Sequence, residues 1–294
     1  MNIGIIGLGT MGMAITRRLI EHTHHSIWGY DVMEAPRQAL RQMNCSIAAS
    51  PEDLLRSCSV VFFSLPTNEL VAAYFKQAIE ICAPGTIVAD LSSSLPEIIR
   101  AAEPAANAKD ISLLDCPVSG GPQGAEKGTL SVMCGGSAAA LESVRPVIQS
   151  FAGTVTRVGG LGCGYVAKLA NNMIVGAEIV AIAEAMAFAQ RGGIEPQLFF
   201  DAVRGGAAGG PVLELKGAQM LHPDQAVTSR LNIHLKDQHN ALACGARLSA
   251  FMPMCTAATD CMDQMEKRGY GSRDAACVID LFEPLSGGGT DKIQ

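Results

Sequence analysis

The sequence predicts an α/β fold: a doubly wound parallel sheet, then a long linking helix, then an all-α C-terminal domain. Three observations carry that expectation. Through the first half, short apolar runs alternate with helix-patterned segments, the pattern of successive βαβ units. From Gly162 to Gln190 there is no proline, and alanine and other helix formers dominate, so the stretch reads as one helix. Beyond Gln190 the strand pattern stops, and helical segments separated by Gly, Pro and polar turns follow.

A chain of 294 residues is long enough for two domains, divided here as 1–161 and 162–285, with 286–294 having a flexible tail's composition. A hydrophobic fraction of 48% against 17% charged residues fits a well-buried globular protein. The net charge of -6 leaves no basic footprint for nucleic acid or an anionic membrane surface, so small molecules and other subunits are the expected partners. The opening Met1-Asn2-Ile3-Gly4 enters a strand pattern with no basic region before it. No secretory signal is therefore expected, and the location is read as cytoplasmic. None of the 10 cysteines forms a Cys-x-x-Cys pair, which suits reduced core residues. His22, His24 and His25 lack a matching acidic or cysteine set, so no metal site is expected.

In order, Asn2–Gly7 reads as a strand and Met13–Glu21 as a helix, and between them stands Gly7-Leu8-Gly9-Thr10-Met11-Gly12. That is G-x-G-x-x-G in the Rossmann-type setting. Gly7 permits the tight turn, Gly9 lets a pyrophosphate approach the backbone, and Gly12 lets helix pack on strand. Ser26–Tyr30 is the second strand, and Asp31 follows it where a carboxylate can accept hydrogen bonds from a ribose 2′-hydroxyl. An acid there favours NAD(H), because it repels a 2′-phosphate, without excluding NADP(H). The alternation continues with a helix at 51–57, strands at 60–65 and 86–90 flanking a helix at 69–81, and a strand at 112–116. Cofactor contacts fall at the carboxyl ends of such strands, which nominates Leu65, Pro66 and Ser93. Pro117 to Ala125 reads as a glycine-rich loop, in which Ser119, Gly120 and Gly121 can form a nest for an anion such as a carboxylate. A strand from Leu130, a helix at 138–149 and a strand at 155–158 precede the long helix.

On that helix Lys168 and Asn172 are four residues apart, so their side chains share a face. Apolar residues cover almost every other direction, which calls for packing on several sides. Lys168, Asn171, Asn172, Glu178 and Glu184 interrupt the run too often for a membrane span, which wants about 20 predominantly apolar residues. Five further helices are expected at 196–203, 212–220, 233–248, 254–268 and 275–282. Lys236 and Asp237 near the start of the third form either a solvated ion pair or part of a site.

Gly7-x-Gly9-x-x-Gly12, Asp115-x-Pro117-Val118-Ser119-Gly120-Gly121, Gly164-x-x-x-Lys168-x-x-x-Asn172 and Lys236-Asp237, in this order over nearly the whole chain, resemble the β-hydroxyacid dehydrogenase family. The resemblance implies an oxidoreductase with Lys168 as catalytic residue and with Ser119, Gly120, Gly121 and Asn172 holding the substrate. It also implies that Lys236 and Ser93 lie at the cofactor and active-site mouth, and that the helical domain makes much of a homodimer or homotetramer interface. Within the family, Arg204 to Gly209, Leu231-x-x-His234-x-Lys236-Asp237 and Asn240-Ala241-Leu242 are most similar to the tartronate semialdehyde reductases. Gly210-Pro211 stands where that branch has hydroxyl side chains, and Asn232 and Gln238 where it has Asp and Leu. These departures keep 3-hydroxyisobutyrate and other short 3-hydroxy acids open as substrates. A non-catalytic NAD-binding regulatory subunit is the reading from another class, and a reductive aminase is another enzyme reading; the latter would call for replacement of the lysine.

Overall fold

A computed structural model of the chain describes residues 1–43 and 45–282. The expected tail 286–294 lies outside the described residues. The chain divides into two compact units, Met1–Lys168 and Leu169–Gln294, and the division falls inside the long helix, beyond the 161/162 boundary drawn from the sequence.

The first unit follows the expected alternation. Strand β1 (Asn2–Ile6) leads to α1 (Thr10–His22), β2 (Ser26–Tyr30), α2 (Glu34–Arg41), β3 (Ser46–Ile47), α3 (Pro51–Ser57) and β4 (Val60–Phe63). Then come α4 (Asn68–Ile81), β5 (Ile87–Asp90), α5 (Pro96–Asn107), β6 (Ser112–Asp115), β7 (Val118–Ser119), α6 (Gly121–Lys127), β8 (Leu130–Gly136), α7 (Ala138–Ile148) and β9 (Ala152–Gly159). The strand order is β3-β2-β1-β4-β5-β6-β8-β7, with β9 on β8. Strands β3 to β6 in that order are parallel, so β1 sits between β2 and β4 at the point where the chain changes winding direction. Both faces are covered: Ile3, Ile5, Val60 and Phe62 enter one core and Ile6, Val61 and Phe63 the other. That two-sided burial is why β4 is an unbroken apolar run and not an alternating one.

The sheet is mixed, however. Strand β8 runs antiparallel to β6 and β7. No helix crosses the sheet between β6 and β8; the short β7 and α6 turn the chain back instead, and an antiparallel return needs no crossover. Helices α2 and α5 and the two-residue β3 were not anticipated. Proline masks both helices, Pro36 in the first turn of α2, and Pro96 and Pro104 in α5, of which only Pro104 is interior.

Helix α8 (Cys163–Arg191) is the expected long helix. It is long and apolar enough to cross a membrane by length and composition, with a mean hydropathy of 1.6. In the second unit its Ile179, Val180, Ala183 and Met186 instead belong to a protein core with residues from the helices that follow. Packing is not all-round within one chain: Ile174 is 61% and Phe188 78% exposed. After it come α9 (Pro196–Val203), α10 (Ala218–Leu221), α11 (Leu231–Arg247) and α12 (Pro253–Lys267). The helix expected over 212–220 contains a π-helical turn at Leu213–Gly217, and the last expected helix is a 3₁₀ helix, Ala275–Leu281. Both irregular turns meet at one buried ion pair, Lys216 with Asp274 at 2.7 Å, so tertiary hydrogen bonding competes there with regular helical geometry.

Candidate active site

The glycine turn closes β1. Gly7 has φ +95 and its N–H donates to Tyr30 O at 2.9 Å, while Gly9 O accepts from Met13 N at 2.8 Å to start α1. A Cβ on Gly7 would strike Ser64 O, and one on Gly12 would strike Gly7 O. A Cβ on Gly9 would meet nothing within 4 Å. The fold itself therefore demands the first and third glycines but leaves the second free, with open space beside Gly9 at the start of α1. Leu8 is buried, and Thr10 and Met11 open the helix. The two kinds of glycine are expected to separate experimentally. Gly9→Ala keeps the melting temperature but weakens NADH binding by roughly tenfold or more, an effect of about 1.4 kcal/mol, read by fluorescence titration. Gly12→Ala destabilises the fold by about 1–3 kcal/mol, as overpacking does. Equal NADH affinity in wild type and Gly9→Ala would mean that the cofactor does not approach there.

Asp31 lies at the end of β2, where its Oδ2 accepts from Leu8 N at 2.7 Å and its Oδ1 from Met33 N at 2.8 Å. The carboxylate thus holds the glycine turn in place. The nearby cations are already engaged: Arg37 pairs with Glu34 at 2.7 Å and Arg41 with the same carboxylate at 2.8 Å.

At the ends of β4 and β5, Leu65 N donates to Ser92 Oγ at 2.8 Å, and Ser92 Oγ donates to Asp90 Oδ1 at 2.7 Å. The other oxygen of Asp90 accepts from Tyr165 OH at 2.5 Å. Pro66 and Ser93 flank these groups in the chain. At the end of β6, the buried Asp115 carboxylate accepts from Gly162 N at 2.8 Å and Tyr165 N at 2.9 Å, capping the start of α8 from outside the helix. Burial pushes the Asp115 carboxyl up to about 6, against the pull of those backbone hydrogen bonds. Gly164 makes the docking possible, since a Cβ there would come within 2.5 Å of Asp115 O and Met133 O. Lys168 is half-buried, one turn after Tyr165. Neither carboxylate's link to the helix was anticipated from sequence.

The expected loop at Pro117–Ala125 is instead a strand and a helix. Ser119 lies in β7 opposite Ser131, Gly120 (φ +126) precedes α6, and Gly121 (φ +64) begins it. Left-handed backbone at two successive glycines keeps the turn available only to residues without a Cβ. One cavity of about 290 Å³, lined by Glu103, Asn107, Ser112, Gly136, Ser137 and Leu161 among others, shares no residue with any of these groups.

In the second unit, Asn172 is 7% exposed and its Nδ2 donates to Asp237 Oδ2 at 2.6 Å, while its Oδ1 accepts from Asn171 at 2.9 Å. Lys236 Nζ lies 3.2 Å from Asp237 Oδ1. At 4% exposure Asp237 is not the solvated partner that the bare Lys-Asp pair suggested; it joins Asn172 to Lys236. Gln238 is wholly buried. Arg204 forms a bidentate pair with Glu214, at 3.0 and 2.5 Å. Gly210 and Pro211 form the entry to the helix that follows, with Glu214 N bonded to Gly210 O at 2.9 Å and Pro211 at the first helical position, where its missing N–H costs nothing. Asn232 N donates to Gly271 O at 3.1 Å at the start of α11.

Known proteins resemble the chain along nearly its full length. Residues 2–160 match the NAD binding domain of 6-phosphogluconate dehydrogenase, and residues 162–282 match the NAD-binding domain of NADP-dependent 3-hydroxyisobutyrate dehydrogenase. The chain is 28% identical to 2-(hydroxymethyl)glutarate dehydrogenase of Eubacterium barkeri, covering 97% of this chain and 96% of that one. It is 30% identical to NAD-dependent L-serine dehydrogenase of Pseudomonas aeruginosa (97% and 99%). Identity to 2-hydroxy-3-oxopropionate reductase of Escherichia coli is 28% (97% and 98%). Among solved structures, Mycobacterium tuberculosis 3-hydroxyisobutyrate dehydrogenase with L-serine superposes with a TM-score of 0.89 at 26% identity, covering 96% of this chain and 99% of that one.

Proposed function

The chain belongs to the NAD-dependent β-hydroxyacid dehydrogenase family, and we propose that it reduces tartronate semialdehyde reversibly to glycerate with NAD(H). The compounds in its relatives' names share one core. L-serine, 3-hydroxyisobutyrate and 2-(hydroxymethyl)glutarate are all 3-hydroxypropanoates that differ at carbon 2, and glycerate is the member with a hydroxyl there.

NAD(H), when bound, supplies or accepts the hydride at carbon 3. The protein's part is to hold the carboxylate, fix the approach and manage one proton. Lys168 as an ammonium donates that proton to the oxygen as it becomes an alkoxide, and in the oxidative direction its neutral form takes it back. Ser119 with the backbone of Gly120 and Gly121 binds the carboxylate, and Asn172 orients the reacting hydroxyl. Gly7, Leu8, Gly9, Thr10, Met11 and Gly12 cradle the pyrophosphate, Asp31 accepts the ribose hydroxyl, and Leu65, Pro66, Ser93 and Lys236 complete the cofactor contacts. NADH is preferred over NADPH because Asp31 repels a 2′-phosphate, and the nearby Arg37 and Arg41 are both turned towards Glu34.

The observation that carries this reading is the capped entry of α8: the Asp115 carboxylate fixes the backbone one turn before Lys168, at 2.8 and 2.9 Å. A general acid needs such a fixed base. NADH deuterated at C4, in both stereochemical forms, tests the reaction directly. One of the two forms is expected to deliver its label to carbon 3 of glycerate, read by mass spectrometry; no label there from either form rules out hydride transfer. A 3-hydroxyisobutyrate preference is the second reading, favoured by Gly210-Pro211, which brings no hydroxyl to its helix entry. We place the enzyme in the cytoplasm as a homodimer or homotetramer, a state supported by Phe188 and by Phe251, which is 93% exposed. Sedimentation velocity checks it; a single 30.7 kDa species would contradict it.

A further inference from the structure

Gln238, on α11, is 0% exposed. A buried primary amide has to be hydrogen-bonded, and this one is bonded at both ends. Its Nε2 donates to the backbone oxygen of Asn172 at 2.6 Å, and its Oε1 accepts from Cys255 Sγ of α12 at 3.2 Å. The preceding residue, Asp237, takes the Asn172 side chain at 2.6 Å. Two consecutive residues of α11 therefore hold one residue of α8, one by its main chain and the other by its amide. The arrangement depends on Gly176, one turn along α8, because a Cβ there would strike Gln238 Nε2.

We propose that Gln238, admitted by Gly176, is a positioning residue that sets the substrate preference of the enzyme through Asn172. The proposal rests on the reading that Asn172 meets the substrate. A helix carbonyl held from a neighbouring helix fixes the height and rotation of that turn, and hence where the Asn172 amide points. Leucine at 238 would fill the space without holding the carbonyl. The neighbouring Lys236 and Asp237 are unchanged by such a replacement, so the cofactor side of the same helix is left intact.

The test is a double-substitution cycle with Gln238→Met, which keeps the volume, and Gly176→Ala, which displaces the glutamine while leaving it in the chain. Each single variant is expected to raise KM for the semialdehyde roughly tenfold, through misplacement of the Asn172 amide, with kcat and the KM for NADH nearly unchanged. The preference between tartronate and methylmalonate semialdehydes is expected to shift. The double variant is expected to be no worse than either single one, because both remove the same bond. Additive losses, or equal rises in KM for NADH and semialdehyde, would indicate general loosening and overturn the proposal. Unchanged KM values and preference in variants of an active wild type overturn it while leaving the proposed reaction standing. A wild type silent with both semialdehydes overturns the reaction and the proposal with it.

Discussion

Lys168→Ala is expected to lower kcat by about 10²-fold or more, the usual consequence of removing a general acid. The substitution spares the helix. Alanine is the best helix former, and the turn before Lys168 is held by the Asp115 carboxylate and by the Tyr165 hydroxyl on Asp90, none of which the substitution touches. NADH binding is therefore expected to survive while turnover does not. Lys168→Arg separates charge from proton transfer. A guanidinium keeps the positive charge but does not release its proton at working pH, so it should restore substrate binding without restoring kcat. Near-wild-type turnover in Lys168→Ala would remove this residue from the mechanism.

The second large effect is on stability. Lys216 is 3% exposed, and its ammonium donates to Asp274 at 2.7 Å, Thr228 at 2.9 Å and Gln219 at 3.0 Å. Burial weakens the hold of Lys216 on its proton, with Asp274 opposing that shift. Burial alone would raise the Asp274 carboxyl, but hydrogen bonds from Ala276 N–H, the Lys216 ammonium and Ser229 N–H hold it below its ordinary value. The pair joins the π-helical turn to the 3₁₀ helix. Lys216→Met leaves a mostly buried carboxylate without its cation, a loss of about 3 kcal/mol. At roughly 4 °C per kcal/mol for a unit between the 60–100-residue and 150–250-residue classes, the melting temperature should fall by roughly 12 °C. An unchanged melting temperature would show that the pair does not hold the second unit together.

Local signals made much of the fold legible. The glycine turn, the strand-end acid at Asp31 and the long helix all lie in contiguous patterns whose physics is set by near neighbours. What was missed lies in long-range contacts. Asp115 caps a helix 47 residues away in sequence, and no spacing rule connects the two. Gly120-Gly121-Pro122 reads as a loop because glycine and proline break regular structure, yet a proline at the second helical position is tolerated, and α6 begins there. Lys236-Asp237 taken alone leaves a solvated pair and part of a site both open, because adjacent opposite charges are usually solvated. The Asn172 amide makes it otherwise, by giving the buried Asp237 carboxylate a partner at 2.6 Å. Gln238 was visible in the sequence only as a departure from the related branch. Its reason, a carbonyl on another helix and a glycine that makes room, appears once α8 and α11 are packed together.

The initial rate of NADH oxidation by the purified protein, with tartronate semialdehyde and with methylmalonate semialdehyde in parallel, decides both the reaction and its substrate. Oxidation with both, and a higher kcat/KM for tartronate semialdehyde, is the result expected of a glycerate-forming β-hydroxyacid dehydrogenase. A higher kcat/KM for methylmalonate semialdehyde would move the substrate to 3-hydroxyisobutyrate, and no oxidation with either would contradict the proposed reaction.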